Sequence, residues 1–194
     1  IEDLAILRAL PNMTLIEPSG PEQVRAAVRA AAAHHGPVYL RIKRADAHPQ
    51  RLEPLTIGQG QVLREGDREP RAVIFACGLM VAEALRAADV LQAQGVAIAV
   101  VNLPTLKPLD TQLVIAQARR CGTVVTAENH SILGGLGSAV AETLLEAGVP
   151  VRFARVGIRD TFAEGASTPY LLQKYGLTAE ALLAALRRLW DQAG

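Results

Sequence analysis

The chain has 194 residues, half of them hydrophobic but only 4% aromatic, with a formal net charge of +1. That length suits one large domain or one and a half ordinary ones, with a core of Ala, Val, Leu and Ile. A near-neutral chain with no basic run lacks the electrostatic footprint of a nucleic-acid or membrane-surface binder, and its longest apolar stretches, such as Val96–Val101, are strand-sized rather than membrane-spanning.

Ile1–Leu10 places apolar residues at 1, 4, 7 and 10 with Glu2 and Asp3 in front, a helix that Pro11-Asn12 stops. It opens in mid-pattern without a Met, so the sequence reads as part of something longer. Met13–Ile16 is a short strand. Ser19 is read as the cap of a helix with Pro21 in its first turn and Glu22 three positions on; the helix ends at His34-His35-Gly36. Histidine at a helix C-terminus is ordinary capping, so neither is assigned catalysis. Val38–Lys43 alternates as a strand, with Arg44 at its end. From Ala45 to Gly58 the periodicity fades, which marks an interdomain linker.

Gly60–Gly66 reads as an edge strand. Thereafter strand and helix alternate: strands at Ala72–Ala76, Val96–Asn102, Thr123–Ala127 and Pro150–Val156, and helices over about Val81–Gln94, from Lys107-Pro108 to Arg120, and from the glycine turn to about Ala147. Thr168-Pro169 starts a short helix stopped at Gly176, and Thr178 caps a last one through Leu189. Short loops between such elements imply βαβ units and an α/β fold, a mostly parallel open sheet with helices on both faces, preceded by the end of a second α/β domain. Cys77 and Cys121 belong to no CxxC pair or metal-ligand spacing, so packed, reduced thiols in a cytoplasmic protein are expected.

The stretch Thr123–Val140 concentrates polar chemistry. A β-branched run ends in Glu128-Asn129-His130-Ser131, and Gly134, Gly135 and Gly137 lead into a helix. A glycine turn at a helix start can hold an anion, but it lacks the Lys-Ser/Thr of a P-loop and the GxGxxG spacing, so a tight structural turn or subunit contact is the favoured reading. Glu128 and His130 fit an acid–base pair or a loop hydrogen-bond network, and the network is preferred. Asp160–Thr168 reads as a surface turn.

Several segments together resemble the C-terminal part of a transketolase. IEDLAILRALPNMTLIEP and GPVYLRIKR resemble the end of that family's pyrimidine-binding domain. VIFACG, VAEALRAADVL, VVNLPTLKPLD, the glycine stretch and YGLT resemble its C-terminal domain. LKPLD and the glycine turn also occur in deoxyxylulose-phosphate synthases and 2-oxo-acid dehydrogenase β subunits, so those branches stay open, as does a stand-alone module binding a small anion. The opening IEDLAILRALPN leans to transketolase-like proteins, including ones split into two chains.

The resemblance implies residues 1–45 ending a pyrimidine-binding domain, a linker at 46–58 and a C-terminal domain over 59–194. It implies thiamine diphosphate and Mg²⁺ in the parent enzyme, a homodimer or larger assembly, and transfer of a two-carbon ketol unit between sugar phosphates, as in pentose phosphate metabolism. The GDG…N diphosphate and metal motif, the strand with the activating glutamate and the GPTHQP stretch are not among these residues. A missing N-terminal segment or partner subunit is therefore expected to carry the diphosphate site, and this chain alone is expected to bind no cofactor and to be inactive. No catalytic, cofactor or metal residue is assigned. Arg44 matches the family's substrate-phosphate arginine, with Arg41 as the alternative; a guanidinium fork grips phosphate oxygens well.

Overall fold

The computed structural model describes residues 1–43, 52–66 and 68–191. Its larger sheet has five strands in the order β3-β5-β4-β7-β8: β3 is Gln61–Arg64, β4 Val73–Ala76, β5 Ala99–Asn102, β7 Thr123–Ser131 and β8 Arg152–Ile158. β4, β5, β7 and β8 run parallel, and β3 pairs antiparallel at the edge. The expected mostly parallel α/β sheet is therefore the one observed.

Alternation along the strands separates two cores. Ile74, Ala76, Ile98, Val100 and Val125 face helices α3 (Met80–Ala93) and α7 (Ala179–Asp191). Val73, Phe75, Ala99, Val101 and Val124 face α4 (Thr111–Cys121) and α5 (Leu136–Glu146). Parallel strands covered on both faces need such continuous apolar runs, and each large side chain sealed this way stabilises by about 1.5–3 kcal/mol. Helices form where caps permit: the Asp110 carboxylate accepts the Leu113 N–H at 3.1 Å to start α4, and Gly122 ends it in the left-handed conformation.

The chain leaves β4 for β5 on one side and returns past β4 to reach β7 on the other. The order 5-4-7-8 thus has its switch point between β4 and β7, where open α/β sheets form a crevice at the strands' carboxyl ends.

The first forty-odd residues form a second, smaller sheet. α1 (Asp3–Arg8) precedes β1 (Thr14–Ile16), and α2 (Pro21–Ala33) connects β1 to its parallel neighbour β2 (Val38–Leu40). The third strand, β6 (Thr105–Lys107), pairs antiparallel with β1 and comes from the other half of the chain. Three residues after Pro104 carry too short a pattern to announce it.

Several local expectations shift. Ser19 is not the cap of α2: Gly20 is, at φ 108°, while the Ser19 hydroxyl donates to Asn102 Oδ1 at 3.1 Å. The strand expected through Lys43 ends at Leu40; Arg41 is then buried and Ile42 is 50% exposed, the inverse of an apolar-in alternation. In the expected linker, Leu52 and Leu55 are buried, and residues 46–51 lie outside the described residues. α6 (Thr168–Lys174) forms as expected, with no buried residue of its own.

Candidate functional site

Two polar clusters fill the switch-point crevice. The first is centred on Glu17, which follows β1 and is fully buried. Its Oε1 accepts from Arg41 Nη1 at 2.8 Å and lies 3.2 Å from Lys43 Nζ; its Oε2 accepts the Cys77 thiol at 3.3 Å. Arg41 also donates through Nε to Asp3 Oδ2 at 2.7 Å, which takes the Tyr39 hydroxyl at 2.8 Å. Asn129, near the end of β7, presents Oδ1 to Arg41 Nη1 at 2.8 Å and to Lys43 Nζ at 2.7 Å. One side chain of the larger sheet thereby grips two cations of the smaller unit.

The electrostatics follow from burial and pairing. Burial pushes the Glu17 carboxyl upward, but Lys43, Arg41 and the hydrogen bonds it accepts outweigh that and hold it below the usual carboxylate range. Asp3 likewise falls below its ordinary value: Arg41 and Tyr39 overcome desolvation. Burial raises the Cys77 thiol, and the Glu17 and Glu128 charges add to it, so this cysteine is a packed, protonated donor.

The second cluster is built on the expected Glu128, His130 and glycine turn. Glu128 Oε2 accepts the Leu136 N–H at 2.7 Å and Oε1 the Gly137 N–H at 2.8 Å. A side chain of the chain itself therefore sits where an anion would bind at the start of α5. Burial raises its carboxyl to about 7 despite those two bonds. His130 Nδ1–H donates to the Ser131 carbonyl at 2.7 Å, and Nε2 accepts the Leu4 N–H at 3.1 Å and the Ala5 N–H at 3.4 Å. That pattern needs a neutral ring, and burial lowers its pKa accordingly. Both nitrogens are engaged with backbone, so the ring ties β7 to α1.

The glycines have separate reasons. Gly134 sits at φ 75°, and a Cβ on Gly135 would fall 1.9 Å from Glu128 Oε2. Gly137 supplies one of the two N–H groups that cap Glu128. Of the two candidate phosphate ligands, Arg44 lies outside the described residues and Arg41 is committed to Asp3, Glu17 and Asn129. Sequence reading missed Glu17, Asp3 and Asn129 as a cluster. The available signal was a glutamate at the end of an apolar three-residue strand.

Beside the first cluster a cleft of about 260 Å³ opens between Arg41, Lys43 and Asn129 on one side and apolar residues of β8, α6 and the Leu79 turn on the other. Among the described residues no three His, Cys, Asp or Glu side chains are grouped to hold a metal ion.

Two family models match: the pyrimidine binding domain of transketolase over residues 1–50 and the transketolase C-terminal domain over residues 58–182. The chain belongs to the transketolase family. A 6-deoxy-6-sulfo-D-fructose transketolase subunit from Clostridium sp. (strain MSTE9) is 44% identical over 194 residues, 99% of this chain and 59% of that protein. A 1-deoxy-D-xylulose-5-phosphate synthase from Syntrophotalea carbinolica (strain DSM 2380 / NBRC 103641 / GraBd1) is 42% identical over 95% of this chain but only 29% of that enzyme. Among solved structures, a split gene transketolase described as an inactive beta4 tetramer superposes with a TM-score of 0.89 at 47% identity, covering 97% of this chain and 61% of that one. This transketolase-family chain thus spans about six-tenths of the length of the first of these relatives. Its pyrimidine-domain match contains α1, β1, α2 and β2, and its C-terminal match contains the five-stranded sheet.

Proposed function

We propose that the chain is the C-terminal portion of a thiamine-diphosphate-dependent transketolase, comprising the end of a pyrimidine-binding domain (1–45), a connection over 46–58 and the C-terminal domain (59–194). The observation that carries this is the pair of family matches in one chain, together with the 47% identity and TM-score of 0.89 to the split transketolase. The split transketolase and the transketolase subunit match at 47% and 44% identity against 42% for the synthase, which favours a transketolase over a deoxyxylulose-phosphate synthase.

The described residues do not by themselves fit the cofactor. Their two fully buried glutamates are already used, Glu17 by Arg41, Lys43 and Cys77, and Glu128 by the start of α5. A partner polypeptide would hold the diphosphate and Mg²⁺. Thiamine, when bound there, supplies the carbanion chemistry. The role of this chain is to support that site, to self-associate as the split transketolase relative does, and to present an arginine to the anionic end of a sugar substrate. Arg44 carries that role: it directly follows Lys43, whose ammonium is fixed on Asn129. A planar guanidinium suits a phosphate or the sulfonate of a sulfo-sugar equally. The working place of such an enzyme is sugar-phosphate metabolism in the cytoplasm.

The test is reconstitution. Ketol transfer from a ketose phosphate is expected only after the chain carrying the diphosphate-binding domain is added. Restoration of deoxyxylulose-phosphate synthesis instead would overturn the transketolase assignment.

A further inference from the structure

Segment 159–167, between β8 and α6, is exposed throughout, and within it Phe162 is 97% exposed. A phenyl ring fully in water forgoes the burial that makes aromatics dominate interfaces. The segment is nevertheless held: the Glu164 carboxylate accepts from both Lys174 and the Tyr175 hydroxyl, whose oxygen lies 3.5 Å from the Phe162 carbonyl. Those ties fix the backbone on either side of a ring that stands outside the neighbouring hollow.

That hollow is the 260 Å³ cleft, which Ala163 of the segment and Thr168 just after it border. Its apolar wall is Leu79, Ile158, Leu171, Leu172 and Leu177, and the Lys43 ammonium lies at its polar end. Knob and hole therefore lie side by side on one face. A two-fold interface joins the same patch on both copies, so each knob must meet the other copy's hole. Arg159 and Asp160, of opposite charge and both exposed, lie three and two residues before the knob, so the face carries both signs.

We propose that Phe162 and this cleft form a self-complementary contact between two copies of the chain, each Phe162 ring entering the other copy's cleft. The ring meets the leucine wall, with Lys43 at its edge as a cation for the π face. Tyr170, 53% exposed beside the cleft, adds aromatic area to the rim. The proposal rests on the self-association reading above and names its surface.

Sedimentation velocity of the protein without its partner chain tests both. The wild type is expected to be at least a dimer. Phe162→Asp is expected to halve the assembled mass with an unchanged thermal midpoint, because the side chain is 97% exposed in its own copy. Leu172→Trp, which fills the cleft, is expected to do the same. Mixing Phe162→Cys with Leu172→Cys protein under oxidation is expected to give a covalent dimer that neither variant gives alone. A monomeric wild type would defeat the self-association reading itself. An oligomer unmoved by Phe162→Asp, with no cross-link, would leave self-association standing and remove this contact. Loss only of partner-chain binding on Phe162→Asp would assign the cleft to the partner and also overturn the proposal.

Discussion

Glu17 and Glu128 are both sealed in one crevice, yet their proton affinities move in opposite directions because Glu17 has two cations beside it and Glu128 has only backbone N–H groups at hydrogen-bond distance. Removing the charge at Glu17 leaves the half-buried Lys43 facing only the neutral Asn129 side chain and the buried Arg41 with Asp3 as its remaining carboxylate. Glu17→Gln is therefore expected to lose roughly 3–5 kcal/mol in urea unfolding, the usual cost of breaking a buried pair from one side. A loss under 1 kcal/mol would mean the cluster does not hold the two sheets together. For Glu128 the folded value, about 7, lies above the ordinary 4.5. The folded state then binds the extra proton, so this stabilisation is full below pH 4.5 and disappears as pH rises through 7. His130 acts oppositely, since its lowered value makes folding less favourable as pH falls. The difference between wild type and Glu128→Gln isolates the carboxyl: the thermal midpoint of wild type is expected to fall more steeply between pH 5 and 7.5. Much of this scale was hidden in the sequence. VYLRIK reads as Arg out and Ile in, but ion pairing to Glu17 and Asp3, remote in sequence, reverses both.

At the scale of elements, β7 and α5 depend on a contact that only a missing side chain allows. Gly135 has an ordinary negative φ, so its requirement is the space taken by Glu128 Oε2 and His130 Nδ1, which lie 1.9 Å and 2.7 Å from where a Cβ would stand. Gly135→Ala is expected to cost about 1–3 kcal/mol as overpacking. In the Glu128→Ala background, where the closer obstruction is gone and only His130 Nδ1 remains, part of that cost should vanish in a double-mutant cycle. Additive losses would place the strain elsewhere. Here the sequence was more informative: strand–helix alternation, the Thr178 cap and the glycine turn were visible locally, because periodicity and caps are local signals. β6 and the extension of β7 through Glu128-Asn129-His130-Ser131 were not, because pairing with β1 and with Ile158 of β8 depends on residues far along the chain.

At the scale of the molecule, the two sheets are joined by β6 and by the Glu17 cluster, in which Lys43, the residue before Arg44, is held on Asn129. If Arg44 meets the substrate's anionic end, Arg44→Ala in the assembled enzyme is expected to raise KM for phosphorylated acceptors by tenfold or more. That corresponds to a charge-assisted bond of about 1.5–3 kcal/mol, with kcat little changed. An unaltered KM would remove Arg44 from the site. The family and the fold class were legible from segments spread over the whole sequence, whereas the aligned crevice filled by its own charged side chains became visible only in three dimensions. The most direct measurement is ketol transfer, with thiamine diphosphate and Mg²⁺ present, by this chain before and after addition of the chain carrying the diphosphate-binding domain. Activity only in the mixture is the predicted result; turnover by this chain alone, or none after mixing folded partners, would contradict the account.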